Sequence, residues 1–176
     1  MSFFLSEQRQ ARWQPRQFLD RFNLPAGTQV VDLGCGPGFW TLPLADIAGA
    51  KGMVWAVDVN RGMLDILQKR NPPEQVHLLE SELCCSALES DSVDFVWAAF
   101  VLHEVPDLQQ QLRELHRIGK RVGILEWRPD AIRTVGPPLN ERLASERLIT
   151  ALRAEGFTAV KQTWQDDDAY LVEAEK

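Results

Sequence analysis

The chain has 176 residues, of which 45% are hydrophobic and 25% charged, a composition typical of a folded globular domain. Its net charge of -6 and its scattered basic residues argue against a protein that follows nucleic-acid phosphates. Three cysteines cannot all pair, which indicates a reducing compartment, and the N-terminal sequence lacks the features of a secretory signal. The longest apolar run, residues 95–102, is too short for a membrane span, and no histidine stands at zinc-ligand spacing from a cysteine pair. We therefore expect a cytoplasmic protein with no membrane span and no metal site.

The predicted elements begin with a helical segment, residues 6–22, that is interrupted near Pro15, because proline is tolerated in the first turn of a helix. Beyond it, apolar strand-like runs alternate with helical patterns, an order typical of a parallel sheet covered by helices on both faces. The predicted strands are residues 29–33, 53–57, 76–79, 93–98 and 122–126. The predicted helices between them are residues 40–48, 62–69 and 108–118.

The alternation of predicted strands and helices ends after the fifth strand. A proline-rich loop leads to a predicted helix over residues 141–154, followed by two strand-like segments at 157–164 and 169–173. The acidic run Asp166–Asp168 between these two segments favours a hairpin turn. An antiparallel hairpin at this end differs from the sixth parallel strand of a plain dinucleotide-binding fold.

A glycine-rich turn follows the first predicted strand, in the stretch VVDLGCGPGFW at residues 30–40. The spacing Gly34-x-Gly36-x-Gly38 brings the third glycine one residue earlier than the dinucleotide fingerprint does. Asp32 precedes the turn, and an anion there would repel a pyrophosphate but stabilise an ammonium group. The turn therefore indicates a nucleoside that carries an amino group and no phosphate.

Residues 30–40 resemble the first motif of class I S-adenosylmethionine-dependent methyltransferases, especially the small enzymes of ubiquinone and menaquinone biosynthesis. The resemblance extends from the N-terminal helices to the final hairpin. It implies an α/β, Rossmann-like fold whose seven-stranded, mostly parallel sheet ends in an antiparallel C-terminal hairpin and carries helices on both faces. It also implies S-adenosyl-L-methionine as cofactor and S-adenosyl-L-homocysteine as product.

The resemblance divides one methyltransferase domain, residues 1–176, into three parts. These are an N-terminal helical cap (1–28), a cofactor-binding core (29–127) and a C-terminal helix with the β-hairpin (128–176).

The resemblance also implies which residues contact the cofactor. Asp58 ends the second strand, where the family places an acid that binds the ribose hydroxyls through charge-assisted hydrogen bonds. Glu82 and Leu83 stand where the family has Asp-Ala, whose acid accepts from the adenine amino group, and Glu80 is the alternative. The expected cofactor-binding residues are Asp32, Gly34, Cys35, Gly36, Gly38, Asp58, Val59, Met63, Glu82, Leu83 and Ala99.

His103 follows the fourth strand, close to the transferred methyl group in this fold, and is the first candidate for a general base, with Glu104 the second. A structural role for His103 is the alternative, because relatives with unrelated substrates also have histidine there. Glu126 ends the fifth strand, at the edge of the sheet where ligands bind in open α/β folds. Cys84 and Cys85 suggest thiol chemistry or the binding of a soft metalloid, as in arsenite methyltransferases; the alternative is that they are small apolar fillers under a loop.

The resemblance implies direct in-line methyl transfer to a small organic acceptor at oxygen, carbon or sulfur. Residues 99–102 lack the Asn/Asp-Pro-Pro-aromatic motif of amino-directed DNA methyltransferases, so no nucleic-acid partner is expected. A homodimer is possible, since the chain has almost no insertions to cover an acceptor.

The rival hypotheses are a non-catalytic S-adenosylmethionine-binding protein, an arsenite-type methyltransferase and a nicotinamide dehydrogenase. Candidates for an aromatic cover, or alternatively for core residues, are Trp13, Trp40, Trp97 and Trp127.

Overall fold

The computed structural model of the chain describes residues 3–83, 87–131 and 136–176. These residues fall into two compact units, Met1–Glu82 and Leu83–Lys176. The assignment of residues 1–176 to one domain stays a prediction.

The first unit begins with a 3₁₀ turn (Phe3–Leu5), which is followed by two short helices, α1 (Glu7–Trp13) and α2 (Pro15–Leu19). The side chain of Ser6 accepts a hydrogen bond from the backbone of α1, which caps the start of that helix. Gln14, at φ 40°, separates the helices, and Pro15 opens α2. The predicted interruption near Pro15 is therefore confirmed, and a 3₁₀ turn over Asp20–Phe22 ends the segment.

Three parallel strands form the sheet of the first unit: β1 (Gln29–Leu33), β2 (Met53–Asp58) and β3 (Val76–Glu80). The crossovers that parallel pairing requires are α3 (Thr41–Ala48) and α4 (Arg61–Lys69). α3 packs against β1 and β2, while α4 packs against β2 and β3. In this register Leu33 lies beside Val57 and Asp58 lies beside Glu80, so the ends of the three strands meet at one edge.

The second unit pairs β4 (Val93–Ala99) in parallel with β5 (Gly119–Trp127) through α5 (Leu108–Ile118). The chain then continues through a 3₁₀ turn (Leu139–Glu141), α6 (Ser145–Ala154), β6 (Thr158–Gln165) and β7 (Ala169–Glu175). β7 is antiparallel to both β5 and β6. The Oδ1 atom of Asp166 accepts the backbone N–H groups of Asp168 and Ala169, both at 2.9 Å, which forms the predicted hairpin turn.

The strand order is β3-β2-β1-β4-β5-β7-β6. The predicted seven-stranded, mostly parallel sheet with an antiparallel C-terminal hairpin is confirmed. None of the helices in the described residues is long and apolar enough to cross a membrane.

The last helix begins four residues later than the sequence predicts, at Ser145 instead of residue 141. Arg142 is extended (φ -78°, ψ 143°), and its side chain is buried. Its guanidinium donates to the backbone carbonyls of Pro137 at 2.9 Å and Arg128 at 3.0 Å. These long-range bonds favour the extended backbone at Arg142, and the helix starts after it.

Candidate active site

The turn after β1 leaves open space at Gly36. This residue has φ 54°, in the left-handed region that favours glycine, and a Cβ added there would have no neighbour within 4 Å. Its backbone N–H donates to the Oδ2 atom of Asp58 at 2.7 Å. A ligand can therefore approach the backbone at Gly36 beside a fixed carboxylate.

Gly38, the third glycine of the turn, allows the turn to pack closely against α4. A Cβ on Gly38 would overlap the Cδ1 atom of Leu67, a fully buried side chain of α4. Arg70, which follows α4, donates to the backbone carbonyls of Pro37 at 2.7 Å and Gly38 at 3.0 Å. Gly38 thus lets the turn pack on α4, and Arg70 holds it there. Sequence reasoning missed Arg70, because nothing in the local pattern distinguishes it from a surface cation.

Asp58 is 9% exposed and accepts a backbone N–H on each carboxylate oxygen. The Oδ2 atom accepts from Gly36, and the Oδ1 atom accepts from Asn60 at 2.8 Å. Because each carboxylate oxygen has two lone pairs, both can also accept a hydroxyl proton, as a ribose diol requires. Val59 follows Asp58 and is 52% exposed, and Met63 lies half-buried in the first turn of α4. The carboxylate, the open space and the apolar side chains fit an adenosine.

Asp32 is buried, at 1% exposure, and its Oδ2 atom accepts from the hydroxyl of Thr41 at 2.6 Å. Burial raises the pKa of this carboxyl group to about 7; the hydrogen bond from Thr41 opposes the rise, and the charge of Asp58 adds to it. Asp32 therefore changes charge close to neutral pH. Its contact with an ammonium group stays a prediction.

Cys35 is buried between Gly34 and Gly36. Its backbone N–H donates to the carbonyl of Val57 at 3.0 Å, which ties the turn to β2. Burial, together with the charge of Asp32, raises the pKa of the thiol, so the reactive thiolate is disfavoured. Cys35 is thus a small, buried side chain in the turn, and its contact with the cofactor stays a prediction. Cys84 and Cys85 lie outside the described residues.

The two acids considered for the adenine amino group both lie at or after the end of β3. Glu80 is half-exposed, in register beside Asp58, with a carboxylate oxygen 3.6 Å from Arg61. Glu82 is exposed, and Leu83 is half-buried. The adenine contact stays a prediction for either acid.

In the second unit, Ala99 is the last residue of β4 and is 8% exposed. Phe100 follows it with φ 59° and donates its backbone N–H to Leu125 at 2.7 Å. The Phe100 ring stacks on the buried ring of Trp127, with 4.2 Å between the ring centroids.

All four tryptophans considered for an aromatic cover are buried core residues: Trp13, Trp40, Trp97 and Trp127.

A fully buried carboxylate, Glu126, organises the loop after β4. Its Oε1 atom accepts the backbone N–H groups of Val101 at 3.0 Å and Leu102 at 2.7 Å. Its Oε2 atom lies 2.8 Å from the Nδ1 atom of His103. The sequence located Glu126 at a strand end, but no spacing in the sequence links it to residues 101–103.

His103 joins this carboxylate to the second candidate base. Its side chain is 5% exposed, and its Nε2 atom lies 3.7 Å from the Oε1 atom of the exposed Glu104. Burial lowers the pKa of His103, but the hydrogen bond and charge of Glu126, with the charge of Glu104, outweigh burial and raise that pKa above its ordinary value. The structure therefore brings His103 and Glu104 together, and adds Glu126 to them.

Comparisons with known proteins agree with this architecture. A demethylmenaquinone methyltransferase from Geobacillus stearothermophilus is 29% identical over 127 residues, which are 70% of this chain and 54% of that protein. One from Lactobacillus johnsonii is 33% identical over 133 residues, 72% of this chain and 54% of that protein. The chain thus spans about half the length of these curated relatives.

Solved structures cover more of the chain. A SAM-dependent methyltransferase from Aquifex aeolicus is 28% identical, with a TM-score of 0.87 over 96% of this chain and 93% of that one. The [4+2]-cyclase SpnF, at 18% identity and a TM-score of 0.78, shares the fold alone.

The strand order, the glycine turn and the carboxylate at the end of β2 define a Rossmann-like, S-adenosylmethionine-dependent methyltransferase domain. Residues 31–126 match the model of the methyltransferase domain family, and the chain belongs to that family.

Proposed function

We propose that this chain transfers a methyl group from S-adenosylmethionine to a small organic acceptor. The observation that carries the proposal is the hydrogen bond from Gly36 to Asp58 beside the open space at Gly36. S-adenosylmethionine, when bound, supplies a methyl group that is already activated by the sulfonium. The residues of the chain then need only to bind, to orient and to remove a proton.

The roles of the binding residues are part of this proposal. Asp58 accepts the ribose hydroxyls, and Asp32 stabilises the ammonium group. Val59 and Met63 pack on the adenine, while Ala99, small and at the end of β4, leaves room near the sulfonium. The adenine amino group donates to Glu82, beside Leu83, or alternatively to Glu80.

We propose a hydroquinone as the acceptor, because the curated relatives are demethylmenaquinone methyltransferases. His103 takes the hydroxyl proton of the acceptor at its Nε2 atom, which makes the neighbouring ring carbon more nucleophilic. When bound, S-adenosylmethionine would supply the methyl group to that carbon. The ring proton of the same carbon would then pass to water, and His103 would return its proton to the phenolate oxygen, which restores the aromatic hydroquinone. Glu104 is the alternative base.

We also propose a cytoplasmic protein that acts without nucleic acid. A buried free cysteine, Cys35, suits a reducing compartment, and the net charge of -6 disfavours binding to phosphate backbones. A homodimer is the proposed source of further cover for the acceptor. Light scattering tests the homodimer, and a monomeric mass at the concentration used in the assays would contradict it.

Calorimetry tests the cofactor. We expect micromolar binding of S-adenosylmethionine, about -8 kcal/mol, and none of NAD. Binding of NAD with none of S-adenosylmethionine would identify a nicotinamide enzyme instead.

Single-turnover assays with methyl-labelled S-adenosylmethionine test the transfer. The first acceptor is 1,4-dihydroxynaphthalene, kept reduced, followed by pools of phenols, thiols, amines and arsenite with glutathione. We expect label in the hydroquinone and a fall of about 10²–10⁴-fold for His103→Gln. His116→Gln is the matched control, since His116 lies on α5 against Phe157. Cofactor binding with no labelled pool would identify a non-catalytic binding protein, and label in arsenite alone an arsenite methyltransferase.

A further inference from the structure

We propose that Glu126 is a positioning residue that determines which ring nitrogen of His103 can accept a proton. This inference rests on the proposed function, in which His103 is the base. It assigns a role in proton transfer to a fully buried carboxylate that the sequence located only at the ligand-binding end of the fifth strand.

The orientation of the carboxylate is fixed by the backbone. Its Oε1 atom accepts from two consecutive amides, those of Val101 and Leu102, at 3.0 and 2.7 Å. The amide of His103 lies farther away, at 3.4 Å from the same oxygen, and the amide of Trp127 lies 3.3 Å from Oε2. The shortest contact of Oε2 is the Nδ1 atom of His103, at 2.8 Å.

This geometry selects one tautomer of the neutral ring. An ionised carboxylate only accepts hydrogen bonds, so Nδ1 of His103 must carry the hydrogen and donate it to Glu126. The lone pair of the neutral ring then lies on Nε2. That atom is 3.7 Å from the exposed Glu104, beyond hydrogen-bond distance, so Glu104 does not occupy the lone pair that the proposed proton transfer needs.

The charged and titratable groups around the pair come from several elements. Glu104, in the loop itself, favours the protonated ring, and Arg142, before α6, opposes it. Tyr170, on β7, stays neutral, because burial and the charge of Glu126 raise the pKa of its hydroxyl, which donates to Leu143.

A purely structural role for Glu126 is the rival explanation, since the same carboxylate anchors the loop. The variant Glu126→Gln separates the two roles. Its amide oxygen can still accept from Val101 and Leu102, and these two amides orient the side chain so that the NH₂ group faces Nδ1 of His103. Nδ1 must then accept, and the ring hydrogen moves to Nε2, which removes the proton-accepting atom.

The first measurement is the tautomer itself, by NMR of protein labelled with ¹⁵N in its three histidine rings. His103→Gln identifies the signals of His103. We expect the Nδ1–H tautomer in the neutral wild-type ring and the Nε2–H tautomer in Glu126→Gln. Glu114→Gln is the matched control, because Glu114 is also a buried glutamate, paired with Arg117 on α5. It should leave the tautomer of His103 unchanged.

The second measurement is kcat for methyl transfer to 1,4-dihydroxynaphthalene. We expect a fall of at least about 10²-fold in Glu126→Gln with unchanged affinity for S-adenosylhomocysteine, and little change in Glu114→Gln. A wild-type Nε2–H tautomer, a tautomer that does not change in Glu126→Gln, or a reversed tautomer with wild-type kcat would each overturn the inference.

The two proposals fail separately. If the wild-type protein labels no acceptor, the proposed function fails, whatever the NMR spectra show. If Glu126→Gln does not fold, as thermal unfolding and cofactor binding will reveal, the wild-type tautomer decides: Nδ1–H supports the assignment of Glu126, and Nε2–H ends it.

Discussion

The backbone N–H of Gly36 donates a 2.7 Å hydrogen bond to the Oδ2 atom of Asp58, and this bond joins the turn after β1 to the end of β2. The carboxylate is therefore oriented by the same backbone that leaves space for a ligand. Substitution of either residue should therefore weaken ligand binding more than it lowers the stability of the fold.

The first prediction concerns Asp58. In Asp58→Ala two charge-assisted hydrogen bonds to the ribose are lost, together about 3 kcal/mol, so affinity for S-adenosylhomocysteine should fall about 100-fold in calorimetry. Asp65→Ala is the control, because Asp65 is an exposed acid on α4 of the same unit, paired with Arg61. An affinity for Asp58→Ala within about threefold of the wild type would remove this residue from the site.

The second prediction compares two glycines with positive φ. Gly36 (φ 54°) and Gly27 (φ 93°) both have open space where a Cβ would lie. Replacing either by alanine should lower the free energy of unfolding by about 1–2 kcal/mol, the cost of left-handed backbone. Only Gly36→Ala should also weaken cofactor binding, by at least about tenfold, because its new methyl group occupies space that the ligand needs. Equal binding by the two variants would contradict a ligand at Gly36.

The third prediction concerns the stability of the protein against pH. Burial raises the folded-state pKa of Asp32 to about 7, whereas the unfolded value is about 3.9. The contribution of Asp32 is therefore most favourable below about pH 4 and is lost as pH rises to about 7, by roughly 4 kcal/mol at most.

Asp32→Asn removes this penalty and keeps an oxygen that can accept from Thr41. Urea unfolding should therefore show Asp32→Asn to be more stable than the wild type at about pH 8, with the difference vanishing near about pH 4. Asp46→Asn, an exposed site on α3, should follow the wild-type curve. A wild type as stable as Asp32→Asn at the higher pH would show that Asp32 is not buried as an anion.

The fourth prediction concerns the pH dependence of kcat. A base must be neutral, and Glu126 and Glu104 outweigh burial to raise the pKa of His103. The acid limb of the profile should therefore have its midpoint above about 6.5, the ordinary value for histidine. Glu104→Gln should move that midpoint slightly downward, since its charge acts from an exposed position. A midpoint below the ordinary value would argue against His103 as the base.

The order of strands and helices could be predicted because it depends on local patterns. β1, for example, contains Val30, Val31 and Leu33, which are buried in the sheet, and Asp166 forms a turn with its own neighbours. The start of α6 could not, because it depends on bonds from Arg142 to carbonyls as far away as Arg128. Such bonds between distant positions leave no periodicity in the sequence.

The site divides in the same way. The glycines follow from a motif with fixed spacing and Asp58 from its place at the end of the second strand, and the hydrogen bond from Gly36 to Asp58 is consistent with the predicted roles. Two other features could not be predicted: the packing of Gly38 against Leu67 and the hydrogen bonds from Arg70 to the turn. Both depend on contacts between residues about thirty positions apart in the sequence. Glu126 is the clearest case: its position at the ligand-binding end of the fifth strand could be predicted, but its bond to Leu102, 24 residues away, could not.

The bonds from Val101 and Leu102 to Glu126 also constrain how the enzyme can be re-engineered. Proline has no N–H to donate, so libraries that vary this loop should exclude it at both positions. Chimaeras should transplant the loop together with the acidic residue from the same parent, because either piece alone leaves unsatisfied polar groups in the interior.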